Sequence, residues 1–326
     1  MNALRYIPFG KTAWKVSAVG FGCWQAGMTA WGTDYSEYDA SSAIKSASDS
    51  GVNFFDTAEI YGNGISERIL GEALKDRDAF VATKVAGYNA TRIERSFDRS
   101  LRNLGRGIDL YQLHWVPSIY TNLEKVLRSM ESLVRRGKVP YIGLSNFPAS
   151  TLKSVSEMLG REEFVSNQVQ YSLVDRRIEN SLVPAMQDLR LQVIAYSPLG
   201  RGRLSGKYFD SPLPKTVSRF SGFRPGRYDP DPALKKSLQE VSSKHGASIA
   251  EVSLAWVTSR GVLPIPGAKR PDQAIANSIS GNLVLDPEDL RSLDSASVRF
   301  KSGEYGNLMP RLVPNRAIRL VSEGVI

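Results

Sequence analysis

The feature that most narrows what this chain can fold into is an alternation kept up over most of its length. Short apolar, β-branched runs take turns with longer stretches whose apolar residues recur at three and four. The candidate strands are Ala18–Gly22, Val52–Asp56, Phe80–Lys84, Ile108–His114, Tyr141–Ser145, Val165–Gln168, Val193–Tyr196 and Val262–Pro266. Between them, Ser66–Lys75, Arg92–Leu104, Leu123–Arg136, Thr151–Leu159 and Ser181–Leu189 carry the period of a helix that lays one face on a sheet. Strands joined through helices run parallel, and eight of them are the number that closes a barrel. The expected fold class is therefore α/β, a (β/α)8 TIM barrel.

Two segments fall outside the repeat. Leu4–Val16, around Phe9-Gly10-Lys11, predicts an N-terminal β-hairpin capping the barrel bottom. Ser197–Pro232, rich in Gly, Pro and Ser, predicts a long loop after the seventh barrel strand, a length usually tied to function. Nothing between them reads as a linker, so residues 1–326 are expected to form a single domain. The rival architecture, a doubly wound sheet, carries G-x-G-x-x-G directly after a strand. Here Gly62-Asn-Gly64 runs on to Glu67 and Gly200-Arg-Gly202 to Ser205, and both lack the third glycine. Gly202–Lys207 is too short for a P-loop, and Tyr208 stands where a magnesium-binding Ser or Thr belongs.

Composition removes several classes of function. Apolar residues make up 42% of the chain, which suits a sizeable core. No run approaches the roughly 20 apolar residues of a membrane span, so no membrane association is expected. Met1–Gly10 has no apolar signal core, and the expected location is cytoplasmic. Cys23 is the only cysteine, which excludes an intrachain disulfide and a cysteine-based zinc site. The formal charge of +9 is scattered among acidic residues except in Gly200–Arg227. There Arg201, Arg203, Lys207, Lys215, Arg219, Arg224 and Arg227 face only Asp210, a pattern that fits a phosphorylated small molecule rather than nucleic acid.

Barrel active sites gather where strands end. Strands two to seven end in Asp56, Lys84, His114, Ser145-Asn146, Gln168 and Tyr196, and the eighth runs into Gly267-Ala268-Lys269-Arg270. Taken singly, each has a plain structural reading. Asp56 and Lys84 can be an ion pair, Tyr61-Gly62 an ordinary turn, Ser145 or Asn146 a helix cap, Tyr196 core packing and His114 a satisfied core histidine. Polar or ionisable groups closing seven strands in succession favour a catalytic mouth. His245, the other histidine, precedes Gly246 at a helix end and reads as surface.

In this ordered set the chain strongly resembles the aldo-keto reductase family. The carriers are Asp56-Thr-Ala-Glu-Ile-Tyr61-Gly62, Val81-Ala-Thr-Lys84, Leu113-His114-Trp115, Ile142-Gly-Leu-Ser-Asn146, Asn167-Gln168, Tyr196-Ser-Pro-Leu199 and Ile265-Pro-Gly-Ala-Lys269, spanning roughly Phe9 to Asn277. The resemblance implies hydride transfer between NADP(H), bound without a Rossmann motif, and a small-molecule carbonyl. It implies Tyr61 as proton donor, Lys84 as the ammonium that eases its deprotonation, Asp56 as the group holding Lys84 charged, and His114 as the hydrogen bond to the carbonyl oxygen. On the cofactor side it implies Ser145, Asn146 and Gln168 at the nicotinamide carboxamide and Tyr196 stacked on the ring. It also implies that Gly22, Cys23 and Trp24 line the cofactor near the reaction centre, with Asp56 beside them.

The pyrophosphate falls to the loop Leu199–Lys207, with Leu199, Arg201, Gly202 and Lys207 as contacts, and Ser197 just before it is a further cofactor-binding candidate. Lys269 and Arg270 would clamp the 2′-phosphate, and Gly267, Ala268, Gln273 and Asn277 would complete the adenosine end. The sequence departs here from the Ile-Pro-Lys-Ser form of many members, and Gln273 stands where an arginine often lies, so NADP over NAD is a preference. Potassium-channel β-subunits share the Tyr-Gly-x-Gly and Ile-Pro-Gly-Ala stretches, which keeps an NADP-bound regulatory module with little turnover as the alternative. A Schiff-base aldolase using Lys84 is a third reading, opposed by Asp56, since such a lysine should be uncharged. Trp24, Met28, Trp31, Tyr61, Trp115 and the tail around Tyr305–Met309 are candidate pocket residues, and Lys301–Ile326 is expected to fold over the mouth. Substrate identity and the choice between monomer and homo-oligomer stay open.

Overall fold

The alternation becomes a ring of parallel strands in the computed structural model, which describes residues 3–27, 36–159, 164–209, 211, 229–303 and 305. The ring runs β3 (Phe21–Gly22), β4 (Phe54–Asp56), β5 (Phe80–Val85), β6 (Leu110–Leu113), β7 (Tyr141–Ser145), β8 (Phe164–Gln170), β9 (Gln192–Tyr196) and β10 (Leu263–Pro264). Neighbours pair in parallel throughout. First and last strands meet where Gly20 N–H donates to the Pro264 carbonyl at 2.9 Å and Gly22 N–H to that of Pro266 at 3.1 Å. Pro264 and Pro266 have no N–H to return, so both seam strands are trimmed to two residues, shorter than the runs expected there.

Ten helices among the described residues surround or flank the ring. In chain order they are α1 (Glu37–Asp49), α2 (Ile65–Ala73), α3 (Ile93–Leu104), α4 (Leu123–Arg135), α5 (Ala149–Met158), α6 (Leu182–Asp188), α7 (Pro232–His245), α8 (Ile249–Ser259), α9 (Pro271–Ile279) and α10 (Pro287–Ala296). Reciprocal capping boxes start α1 at Ser36, α8 at Ser248 and α10 at Asp286. Gly105 and Gly246 end α3 and α7 in the left-handed conformation. His245 is partly buried rather than fully exposed, with Nε2 2.7 Å from the Asp289 carboxylate. No helix among the described residues is long and apolar enough to cross a membrane.

Period-two alternation sorts the strands between two layers, interrupted in β8 by a register shift against β7 that sends Val165 inward and Val169 outward. Phe55, Val81, Tyr111, Leu113, Ile142, Leu144 and Val169 pack outward against the helices. Phe54, Ala82, Leu110, Val165, Ile194 and Leu263 fill the lower barrel. The predicted hairpin closes that floor: β1 (Tyr6–Pro8) pairs antiparallel with β2 (Lys15–Ser17). Phe9 stacks on Phe54 at 5.4 Å, and Trp14 lies against Phe80 at 4.5 Å and Tyr141 at 4.9 Å. The bottom is plugged with hydrocarbon, so polar chemistry is confined to the upper end. Met28, Trp31, Asp210, Lys215, Arg219, Arg224, Arg227 and the tail beyond Tyr305 lie outside the described residues.

Candidate active site

Above the apolar plug, the same inward parity turns polar. Asp56 from β4, Lys84 from β5, Gln112 from β6 and Gln168 from β8 all point inward and are at most 2% exposed. A buried ammonium is tolerable only when fully paired. Lys84 Nζ donates to Asp56 Oδ1, to the Thr57 carbonyl at 2.7 Å and to the Tyr61 hydroxyl at 3.4 Å. The other carboxylate oxygen of Asp56 accepts from Gln112 Nε2 at 2.9 Å and Gln168 Nε2 at 2.8 Å. Gln168 Nε2 also donates to Gln112 Oε1 at 3.3 Å, and no hydrogen bond among the described residues engages Gln168 Oε1. Burial works against the charge on Lys84, but Asp56 and then Tyr61 outweigh it and hold the ammonium above its ordinary range.

One layer higher, side chains are partly exposed at the mouth. Tyr61 comes from the turn between β4 and α2. Its ring meets His114 edge-on at 5.7 Å and lies 6.5 Å from Trp24, with Lys84 Nζ 5.0 Å from its centroid. Two glycines set that turn. A Cβ on Gly62, at φ +60°, would stand 2.2 Å from the Gly27 carbonyl oxygen, and one on Gly27 would stand 2.4 Å from that of Tyr61. Burial raises the Tyr61 phenol above its ordinary value, and the Lys84 ammonium offsets part of that rise. For His114, burial and then Lys84 push the imidazole well below its ordinary value, and its buried Nδ1 has no hydrogen-bond partner. The ring is therefore neutral at physiological pH.

The opposite side of the mouth is built by the ends of β7, β8 and β9. Ser145 Oγ donates to the Gln168 carbonyl at 2.9 Å and accepts from Asn146 Nδ2 at 3.1 Å. Asn146 Nδ2 also donates to the His114 carbonyl at 3.2 Å, while Oδ1 accepts from Tyr196 and Tyr305, each at 2.9 Å. The Asn146 amide thus makes four protein bonds, its full complement. Asn146, Ser197 and Arg201 all adopt positive φ (60°, 51° and 57°), a concentration of backbone strain at one rim.

The expected phosphate-binding residues form two turns. Gly200 and Gly202 have φ of +56° and +92°, Leu199 packs on the core, and the Arg201 guanidinium lies 5.8 Å over Trp24. Lys207 is exposed, with Nζ 5.6 Å over the Tyr208 ring. In the second turn, Gly267 lies under Gln25, whose Oε1 would be 1.9 Å from a Cβ there, and Ala268 is buried. Gln273 Oε1 accepts from Lys269 N–H at 3.0 Å, and Asn277 Nδ2 donates to the Gly267 carbonyl at 3.3 Å. Arg270 pairs with Asp272 through two bonds of 3.1 Å.

The structure brings Asp56, Tyr61, Lys84 and His114 into one cluster, and sets Ser145, Asn146, Gln168 and Tyr196 beside it. Gly22 and Cys23 are buried at the end of β3, with Cys23 1% exposed and its thiol pushed up by burial, so only Trp24 of that trio presents a side chain to the mouth. Sequence reasoning missed Gln112 and the bond from Tyr305 to Asn146. Gln112 left one trace, its two-residue spacing from His114 on a common strand face. The Tyr305 bond spans 159 residues; the sequence offered Tyr305 as a pocket candidate but not its partner.

The aldo/keto reductase family model matches residues 18–298. A probable aldo-keto reductase from Glycine max is 31% identical, covering 94% of this chain and 96% of the relative. Among solved structures, a glycerol dehydrogenase from Gluconobacter oxydans superposes with a TM-score of 0.80 at 28% identity, covering 91% of this chain and 96% of that one. An aldo/keto reductase from Klebsiella pneumoniae in complex with NADP and acetate gives a TM-score of 0.72 at 29% identity, covering 95% and 99%.

Proposed function

The chain belongs to the aldo/keto reductase family, and from that premise we propose that it is an NADP(H)-dependent oxidoreductase that reduces aldehyde and ketone carbonyls to alcohols, with Tyr61 as proton donor. The observation that carries the reading is the Tyr61 hydroxyl 3.4 Å from a fully buried Lys84 ammonium, at a mouth that His114 shares. A nicotinamide fits the residues present. Gln168 keeps its carbonyl oxygen available to a carboxamide N–H because Asp56 and Gln112 take its own N–H groups. Tyr196 is anchored through its hydroxyl, which leaves the ring for stacking.

A dinucleotide held by these residues would supply the hydride. Tyr61 keeps its proton at neutral pH because burial holds the phenol high, and gives it to the substrate oxygen as negative charge develops there. Lys84, kept charged by Asp56, stabilises the phenolate left behind. With Nδ1 buried and unpartnered, the proton of neutral His114 sits at lower cost on Nε2, from which it donates to the same oxygen. The carbonyl carbon gains the hydride and its oxygen the Tyr61 proton, which balances the two-electron reduction.

The test is NADPH oxidation over a panel of aldehydes, ketones and sugars, run with wild type and Tyr61→Phe. Turnover in the wild type and a loss of roughly 10³-fold in kcat for the variant are expected, with dinucleotide affinity nearly unchanged. A variant that turns over near the wild-type rate removes Tyr61 as the acid.

A further inference from the structure

Gln112 occupies a position that the tetrad reading leaves unused. It lies on β6 two residues before His114, fully buried, with both ends of its amide committed. Nε2 donates to Asp56 Oδ2 at 2.9 Å, and Oε1 accepts from Gln168 Nε2 at 3.3 Å. Gln168 Nε2 closes the triangle on the same carboxylate oxygen at 2.8 Å. On its other side the carboxylate meets Lys84, which reaches Tyr61. An uninterrupted path therefore runs Tyr61, Lys84, Asp56, Gln112, Gln168.

We propose that Gln112 is a positioning residue: it fixes the Asp56 carboxylate and the Gln168 amide against each other, so that the proton donor and the carboxamide holder are oriented by one buried triangle. A carboxylate rotates about its last bond unless both oxygens are engaged. Gln112 and Gln168 fasten Oδ2, which leaves Oδ1 aimed at Lys84. In the same contact, Gln112 Oε1 accepts one Gln168 N–H and so turns the Gln168 carbonyl oxygen away from the triangle. A hydrocarbon side chain at position 112 would keep the volume, leave Oδ2 held by Gln168 alone and remove the acceptor that turns the Gln168 amide.

The two amide N–H groups also draw part of the carboxylate charge away from Lys84. Without Gln112, Asp56 holds more of its negative charge on the ammonium, and less positive potential reaches the phenol. The groups acting on Tyr61 are Lys84 from β5, Asp56 from β4, Cys23 after β3, His114 after β6 and Tyr196 from β9; of these only Asp56 is bonded to Gln112, so a change at position 112 reaches the phenol through that carboxylate. The phenol therefore titrates higher in the variant.

This inference rests on Tyr61 being the proton donor, so its test needs no turnover. The full chain is labelled with [13Cζ]tyrosine, Tyr61 is assigned by its loss in Tyr61→Phe, and its shift is followed against pH without dinucleotide. Gln112→Met is expected to raise the Tyr61 midpoint by about half a pH unit or more. It is also expected to weaken NADP+ binding, read by fluorescence, by roughly two- to tenfold. Gln112→Asn, polar but one methylene too short, should shift the midpoint in the same direction. A Tyr61 titration in both variants that superposes on the wild type overturns the proposal, as does failure of both to fold, which would make Gln112 a stability residue only. An unchanged Kd overturns the link to Gln168. Absence of carbonyl reduction in the wild type would sink the proposed function and leave this titration intact.

Discussion

The Tyr305 hydroxyl donates to Oδ1 of Asn146 across 2.9 Å, and with the Tyr196 hydroxyl at the same distance it fills both acceptor positions of that amide. Asn146 is the residue whose resemblance-based role is to contact a nicotinamide carboxamide. A carboxamide N–H can reach Oδ1 only by displacing one phenol. Tyr305 is the one to yield, because it arrives on the C-terminal segment while Tyr196 is fixed at the end of β9. Tyr305→Phe removes the competitor in advance. NADP+ should bind roughly two- to tenfold tighter by fluorescence titration. Weaker binding would mean that Tyr305 supports the Asn146 amide rather than competing for it.

The Tyr61 turn depends on Gly62, whose added Cβ would stand 2.2 Å from the Gly27 carbonyl oxygen at a backbone φ of +60°. Both contacts are with backbone, so neither partner can swing aside as a side chain would. Gly62→Ala must push the turn off the β3–α1 loop, and Tyr61 moves with it. Misplacement by about 1 Å costs on the order of 100-fold in rate. We expect a kcat/KM loss of about that size with a fall in Tm of only a few degrees, because the turn lies at the mouth and not in the core. A near-normal kcat/KM would show that Tyr61 is placed by other contacts.

The barrel was legible because its strands are apolar runs of fixed parity whose last residues are polar. Asp56 ends β4, Lys84 stands one residue before the end of β5 and Gln168 two before the end of β8, so chemistry lies at or near strand ends. Gln112 was not legible because the apolar run reads through to His114, which takes the terminal signal and leaves Gln112 as a single amide between Tyr111 and Leu113. Its inward direction follows only from parity with His114. The trimmed seam at β3 and β10 depends on which way Pro264 and Pro266 face, and that depends on ring closure. Cys23 lies in the buried layer under the helices, close enough to act on Tyr61, and its burial was not readable from its neighbours Gly22 and Trp24. The saturation of Asn146 joins β6, β7, β9 and the C-terminal segment, and no local pattern encodes such a meeting.

His114 makes stability depend on pH in a calculable direction. Burial, then the Lys84 ammonium, depresses its folded-state pKa well below the ordinary value of about 6.5. Between those two values the unfolded chain binds a proton that the folded chain refuses. Stability from this group is therefore complete above about pH 6.5 and falls as pH drops, by at most about 1.4 kcal/mol per unit. Urea unfolding of wild type and His114→Gln at about pH 7.5 and 5.5 isolates the contribution, because carboxylates titrating in the same range cancel in the difference. Wild type should lose more stability than the variant on acidification. Reduction by the wild type should also show no limb near pH 6.5 and a descending limb above about pH 10, where Tyr61 loses its proton. Equal acid sensitivity in both proteins would mean that His114 titrates normally.

Discrimination between NADPH and NADH should turn on an ion pair the sequence did not reveal. Arg270 Nε and Nη2 each donate to the Asp272 carboxylate at 3.1 Å, and Arg270 holds that carboxyl below its ordinary range. A 2′-phosphate offers the same planar fork a rival acceptor, with more charge but with Asp272 repelling it nearby. Both partners are well exposed, so solvent screens the pair and exchange is cheap. Asp272→Asn removes the repulsion and the competing carboxylate. We expect the ratio of kcat/KM for NADPH over NADH to rise about threefold or more. Lys269→Ala, which removes the neighbouring ammonium, should lower the ratio by about tenfold. The two variants move the ratio in opposite directions only if the phosphate lies between these side chains. A ratio that stays constant in both places the 2′-phosphate elsewhere and leaves the Arg270–Asp272 pair as a brace for the start of α9.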